Sequence, residues 1–177
     1  MNLIFGAVDR LSRLCGYAMM VVFLILVFDM MYEVVSRRIF DSPTLWAYDV
    51  AYMSNAAIFM VAAGYALLNN EHIRIDFLST RMPARIQDWA NAIIYAFLLL
   101  PALWLAGSEA VEAAWSAFQT GELEPSSPWR PVIWPYYSAL ALGLVVFALQ
   151  AVVQCVRHVL AASGRGPTPL NRAGGNA

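Results

Sequence analysis

Lysine is absent from this sequence, and charged residues of any kind are scarce. Only 13% of the 177 residues are charged, whereas soluble domains average about 25%. Hydrophobic residues make up 60% of the chain, above the roughly 45–50% that is usual in soluble domains. These departures argue against an ordinary soluble domain, and a net charge of −1 gives no indication of a nucleic-acid partner. The chain is therefore predicted to use the lipid bilayer as its solvent.

The scarcity of charge leaves long segments with no ionised side chain. Asp, Glu, Lys and Arg are all missing between Asp49 and Glu71, between Asp88 and Glu109, and between Arg130 and Arg157. Each segment is long enough for the ~20 apolar residues that cross a ~30 Å hydrocarbon core. A fourth, less uniform segment begins at about Gly16. The predicted architecture is an all-α membrane protein, with one four-helix domain over residues 1–160 and spans at about 16–36, 47–68, 89–108 and 136–156.

The eleven arginines predict how this bundle is oriented. Eight flank the two termini and the connection between spans two and three, and only Arg37, Arg38 and Arg130 lie on the other side. Because positive charge is retained in the cytoplasm, both termini are predicted to be cytoplasmic, in a multi-pass protein of the bacterial inner membrane.

Several segments outside the span centres carry structural predictions of their own. Residues 1–14 and the connection 71–88 are predicted to contribute amphipathic helices at the cytoplasmic interface. Residues 161–177 are predicted to form a disordered cytoplasmic tail. Pro101 lies near the middle of span three and is expected to kink that helix.

Motifs for catalysis and cofactor binding are missing as well. The only histidines, His72 and His158, fall at or beyond the predicted span ends, where they could not ligate a haem inside the membrane. No Cys/His cluster has metal-ligand spacing, and no phosphate-binding loop or nucleophile motif is present. Cys15 and Cys155 fall at cytoplasmic span ends and are expected to be free thiols. The chain is predicted to be no enzyme and to bind no cofactor or metal.

Three ionisable residues share one face of span one. Asp29, Glu33 and Arg37 are spaced i, i+4 and i+8, and Asp29 lies about 12 Å below Arg37 at a rise of ~1.5 Å per residue. A carboxylate at that depth costs ~2.5–3.5 kcal/mol on insertion scales. One interpretation is an ion or proton site. The favoured interpretation is a polar anchor on another helix, with Glu33 and Arg37 paired near the surface.

Polar residues also bracket span two. Its outer end carries Trp46 and Asp49 after a Pro-containing loop, and its other end is followed by the run EHIRIDFL. Together with the run YEVVSRRIFDSPTLWAYDVAYM, this pattern resembles the DctQ family, the small membrane subunit of tripartite ATP-independent periplasmic (TRAP) transporters. The resemblance extends from about Leu11 to Gln154, and the matching positions are Arg37, Pro43, Trp46, Asp49, His72, Arg74 and Asp76.

The resemblance implies a supporting role in transport. In such systems a periplasmic solute-binding protein delivers a solute, usually a carboxylate, to a large membrane subunit that holds the substrate and sodium sites. The small subunit packs beside that large subunit as a scaffold. No internal repeat of the kind seen in complete carriers is found in this sequence, which agrees with that role. The residues expected to act in docking or anchoring are Asp29, Glu33, Arg37, Trp46, Asp49, His72, Arg74 and Asp76.

Two alternatives remain open. A self-contained small multidrug exporter also has four helices with an acid in span one, and it would use Asp29 for proton coupling. Such exporters usually have much shorter loops than residues 71–88 and 119–135 of this chain. A membrane assembly protein unrelated to transport is the third possibility.

Overall fold

Helices account for nearly all of the structure, which is a computed structural model that describes residues 2–69 and 83–164. The elements within those residues are α1 (Asn2–Ile39), α2 (Ala47–Leu68), α3 (Ala84–Ile94), a π-helical turn (Tyr95–Leu99), α4 (Leu100–Thr120) and α5 (Trp134–Ala162). Because α3, the π-helical turn and α4 follow one another without a break, the described residues contain four helical segments long and apolar enough to cross a membrane. The predicted all-α membrane fold with four spans is confirmed.

The first span differs from the expected arrangement at its N-terminal end. Residues 1–14 were expected to form a separate interfacial helix, whereas α1 continues from Asn2 to Ile39 without a break. Side chains of its first turns are fixed to α5, because Ser12 donates a hydrogen bond to Gln150 at 2.9 Å and Asp9 pairs with Arg157 at 2.6 Å. These contacts hold the N-terminal turns in line with the span. Most of the predicted 71–88 connection and of the predicted 161–177 tail lies outside the described residues.

The helices run antiparallel, which gives the bundle two distinct ends. The terminal end holds Asn2, the end of α2, the start of α3 and the end of α5. The loop end holds the connections 40–46 and 121–133. The second connection folds back on itself, with hydrogen bonds from Glu124 N to Pro131 O at 2.9 Å and from Ile133 N to Glu122 O at 3.0 Å.

Helix α5 is the centre of the bundle. It packs against α2, α3 and α4 and, less extensively, against α1, which packs mainly on α2. Helices α2 and α5 come very close at Gly143, where an added Cβ would lie 2.6 Å from the carbonyl carbon of Met60. Small residues at such crossings let backbones come close when no hydrophobic effect operates between helices. The outward faces carry large apolar side chains, including Phe28, Tyr48, Phe97 and Leu142, as expected for contact with lipid.

The π-helical turn lies immediately before Pro101. Leu100 donates its backbone N–H to Tyr95 O, five residues earlier instead of four. A proline has no N–H for the carbonyl one turn before it and crowds that carbonyl. The helix therefore changes its hydrogen-bond register at the position where the regular ladder loses a donor, and it continues as α4 beyond the proline.

Candidate functional site

The polar residues predicted to act in span one form an anchor at the loop end. Glu33 accepts two hydrogen bonds from Arg37, at 2.6 and 3.0 Å, through one carboxylate oxygen. Its other oxygen accepts hydrogen bonds from the backbone N–H of Thr44, at 3.1 Å, and from the Thr44 hydroxyl. The carboxylate is nearly buried, whereas Arg37 is largely exposed. Glu33 therefore fastens the connection 40–46 onto α1.

Trp46 and Asp49 form a second anchor beside the first. The indole ring of Trp46 stacks on Tyr32 of α1, with ring centroids 6.0 Å apart. Asp49 lies in the first turn of α2, is buried, and accepts a hydrogen bond from the hydroxyl of Ser127. The position in the first turn places the carboxylate at the positive end of the helix dipole.

Ser127 links Asp49 to the backbone of the connection 121–133. Its hydroxyl oxygen accepts hydrogen bonds from the backbone N–H groups of Trp129, at 3.0 Å, and Arg130, at 3.3 Å. Arg130 has a positive φ of 50°, so the chain turns sharply there. Asp49 thus holds the tip of the connection 121–133 against the start of α2. Sequence spacing could not reveal this pairing, because the two side chains are 78 residues apart.

Asp29 is not brought into either anchor. One of its carboxylate oxygens is buried and has no hydrogen-bond partner. Glu33 stands one helical turn away on the same face, but its own oxygens are occupied by Arg37 and Thr44. The structure therefore groups Glu33 with Arg37, as the sequence suggested, and leaves Asp29 apart. His72, Arg74 and Asp76 lie outside the described residues, so their predicted docking role stays a prediction.

A third polar group, at the terminal end, was missed by the sequence analysis. His158 and Asp88 are both fully buried, with Nδ1 of the imidazole 2.8 Å from Oδ1 of the carboxylate. The ring of Tyr95 stacks on the imidazole with centroids 5.6 Å apart. Gln154, one turn before His158, donates a hydrogen bond to Leu67 O at 3.1 Å. These contacts join α3, the π-helical turn, α2 and α5.

The same end of α5 also holds α1. Arg157 donates a hydrogen bond to Asp9 at 2.6 Å, and its guanidinium lies 5.7 Å from the centre of the Phe5 ring. Gln150 accepts from Ser12 and donates to Asp9 at 3.3 Å. The only available sequence signal was the spacing of Gln150, Gln154 and His158 at i, i+4 and i+8, which places three polar side chains on one face of an otherwise apolar span.

The chemistry of these groups is that of helix fastening. Each polar group joins separate elements of the chain through hydrogen bonds or ion pairs, and buried polar groups require such partners. Among the described residues, no group of three or more His, Cys, Asp or Glu side chains is arranged to hold a metal ion. Cys15 and Cys155 are free thiols.

Comparison with known proteins identifies a family match and a similar protein. Residues 26–161 match the family of tripartite ATP-independent periplasmic transporters, DctQ component, and this range includes Glu33, Asp49, Asp88 and His158. The chain is also similar to the sialic acid TRAP transporter permease protein SiaT of Haemophilus influenzae (strain 86-028NP), with 31% identity over 62 residues. Those residues make up 35% of this chain but 10% of SiaT, so the similarity covers a small part of that protein. Because the family match covers well over half of the sequence, the chain belongs to the DctQ component family of the tripartite ATP-independent periplasmic transporters.

Proposed function

We propose that the chain is the small membrane subunit of a sodium-coupled TRAP transporter in the bacterial inner membrane. It scaffolds a large membrane subunit, which carries the substrate and sodium sites. A periplasmic solute-binding protein delivers the solute, which is of the carboxylate type. The chain itself holds no cofactor and catalyses no reaction.

The contacts that acidic side chains in and beside the spans make within the chain support this proposal. Glu33, Asp49 and Asp88, three of the acids in or beside the spans, each contact another part of the same chain. A self-sufficient carrier would need polar groups around a solute path near the middle of the membrane, usually on broken helices of repeated halves. These three acids instead fasten helices and connections of the bundle, which suits a rigid scaffold.

Both termini are placed in the cytoplasm in this proposal. The eight-to-three distribution of arginine supports that orientation. The loop end would then face the periplasm, and the two anchors at Glu33 and Asp49 would fix the surface nearest to the solute-binding protein.

Transport by reconstituted vesicles tests the proposal. Liposomes are prepared with the small subunit alone, the large subunit alone, or both, and each receives the solute-binding protein, a labelled carboxylate and an inward sodium gradient. We expect uptake to require the large subunit and to be highest with both. Vesicles with the small subunit alone should match empty vesicles. Uptake by the small subunit alone would instead support the exporter-like alternative that uses Asp29.

Docking roles are proposed for the motifs at the two ends of span two. Trp46 and Asp49 at one end, and His72, Arg74 and Asp76 at the other, are too far apart to share one solute, because 22 helical residues extend about 33 Å. Asp49→Ala would release Ser127 and the connection 121–133, and Arg74→Ala would remove a cation that is proposed to contact the partner. We expect both variants to reduce recovery of the two-subunit complex while the surviving complex binds solute normally. A loss of solute affinity at full complex yield would place these residues in the transport site.

A further inference from the structure

Helix α4 presents an unusual face to the outside of the bundle. The side that packs on α5 carries Leu103 and Ala117, which are buried, with the half-buried small residues Ala110 and Ala114 between them. The opposite side carries Ser108, Glu109, Glu112, Ser116 and Gln119, all of them exposed, and we call these five residues the polar stripe. At 100° per residue the polar stripe is centred about 180° away from the contact with α5. It therefore points directly away from the rest of the chain.

The contacts of α4 place the first part of this stripe, around Glu109, level with an exposed apolar part of α5. The ring of Phe118 meets Trp134 at the start of α5, with centroids 5.5 Å apart. Glu109 lies nine residues before Phe118, which is about 13 Å along the helix. Since α5 runs antiparallel, the residues about nine positions after Trp134 lie at the same level, and there α5 exposes Leu142 and Val145. Water at that level would also wet these two apolar side chains.

The carboxylates of the polar stripe have no partner within the described chain. Glu109 and Glu112 make no ion pair or hydrogen bond there, whereas Glu33, Asp49 and Asp88 all do. An unpaired carboxylate facing acyl chains is costly, and such residues usually face protein. The exposed sides of α1 and α5 at comparable depth are apolar by contrast, with Phe28 and Leu142 as examples. Lipid suits those surfaces and does not suit the polar stripe.

The charge of the polar stripe decides which protein covers it. A second copy of this chain, docked through the same face, would bring Glu109 and Glu112 against identical carboxylates, and like charges at short range repel. A different membrane protein that offers basic or hydrogen-bond-donating side chains would satisfy the stripe. The neighbouring exposed side of α4, with Trp104, Val111 and Trp115, supplies apolar area beside it.

We propose that the polar stripe of α4 is the surface that docks on the large membrane subunit, through cationic or hydrogen-bond-donating side chains on a spanning helix of that subunit. This proposal rests on the proposed function and adds to it the helix, the face and the chemistry of the contact. Span three thus has one side committed to α5 and the opposite side committed to the partner.

Recovery of the complex tests the stripe. The small subunit is tagged and co-expressed with the large subunit, and the large subunit recovered per small subunit is measured by quantitative immunoblot. We expect at least a tenfold decrease for the double variant Glu109→Ala/Glu112→Ala. The amount of small subunit in the membrane should be unchanged, because the variant removes unpaired carboxylates that support no contact inside the chain. The control is Glu122→Ala, which removes an exposed carboxylate from the connection 121–133 and should leave recovery normal.

Site-specific photo-crosslinking gives a second measurement that does not depend on removing the carboxylates. A photoreactive amino acid is placed at Ser116, on the stripe, or at Leu142, on the lipid-facing side of α5. We expect an adduct with the large subunit from position 116 and none from position 142. Normal recovery of the double variant, or an adduct from position 116 with a second copy of this chain or with lipid alone, would overturn the stripe proposal. Failure of the wild-type chain to recover any large subunit would instead overturn the proposed function.

Discussion

Asp88 and His158 meet inside the terminal end of the bundle, with neither side chain exposed to solvent. Their 2.8 Å contact links the start of α3 to the end of α5, and the ring of Tyr95 covers the imidazole. The second carboxylate oxygen of Asp88 is buried without a hydrogen-bond partner. The two buried side chains depend strongly on each other, because the loss of one leaves a polar group of the other buried without that partner.

Substitution of Asp88 should therefore lower the stability of the bundle. We expect Asp88→Ala to destabilise the protein by roughly 1–3 kcal/mol, the usual cost of a buried hydrogen-bonding group that loses its partner. Asp88→Asn keeps an oxygen in reach of His158 and should cost less. The measurement is the thermal unfolding midpoint of the purified protein in detergent. An unchanged midpoint for Asp88→Ala would show that the pair contributes nothing to stability.

Asp29 is predicted to assist assembly and not ion coupling. The variant Asp29→Asn preserves side-chain size and hydrogen bonding while it removes the charge. We expect normal complex yield, because asparagine can still hydrogen-bond during assembly. We also expect normal sodium-driven uptake in reconstituted vesicles, because the ion sites are assigned to the large subunit. Normal complex yield with uptake abolished would assign the coupling role to Asp29 itself.

At the scale of helices, the crossing of α2 and α5 depends on Gly143, which has no side chain. A Cβ at Gly143 would lie 2.6–2.8 Å from backbone atoms of Met60 and Val61, and backbone cannot rotate away as a side chain can. Gly64 lies at the same interface, where an added Cβ would come within 3.1 Å of Cγ1 of Val146. The two helices are therefore in near backbone contact.

Gly143→Ala should push α2 and α5 apart and lower the thermal midpoint by several degrees. Gly107→Ala is the matched control, because Gly107 is also inside a spanning helix but an added Cβ meets nothing within 4 Å. The control should be neutral or slightly stabilising, since alanine favours helix over glycine. If the two substitutions changed the thermal midpoint equally, the effect of Gly143→Ala could not be attributed to the close contact between α2 and α5.

The sequence predicts the helices of this protein better than it predicts their partners. Hydropathy depends on each residue alone, so three uncharged segments and a fourth, less uniform apolar segment identified the four spans directly. The pairing of Glu33 with Arg37 was also accessible, because both lie on one helix at i, i+4. Contacts such as Asp88 with His158 join residues 70 positions apart, and no periodicity within either helix encodes which residue stands opposite. The acids near span ends consequently resembled interfacial residues, and their burial became visible only when the helices were assembled.

For the whole molecule, the orientation in the bilayer is the prediction most simply tested. A reporter active only in the periplasm is fused after Ala161 in one strain and inserted after Glu124 in another. We expect an inactive fusion at Ala161 and an active one at Glu124, because eight of the eleven arginines lie on the side of the termini. The two sites control for each other, and the reverse activities would invert the topology.

The central position of α5 also determines when the four spans can assemble into one bundle during synthesis. Helices α1 and α2 can pair as soon as both have left the ribosome, since they pack on each other. The span formed by α3 and α4 packs mainly on α5, which is made last, and Arg157 reaches back 148 residues to Asp9. Span three must therefore wait in the membrane, with the α5-facing side of α4 uncovered, until the final helix arrives. A ribosome stalled before Trp134 would leave a helical hairpin and an unattached third helix, which is the form that membrane quality control is expected to recognise and degrade.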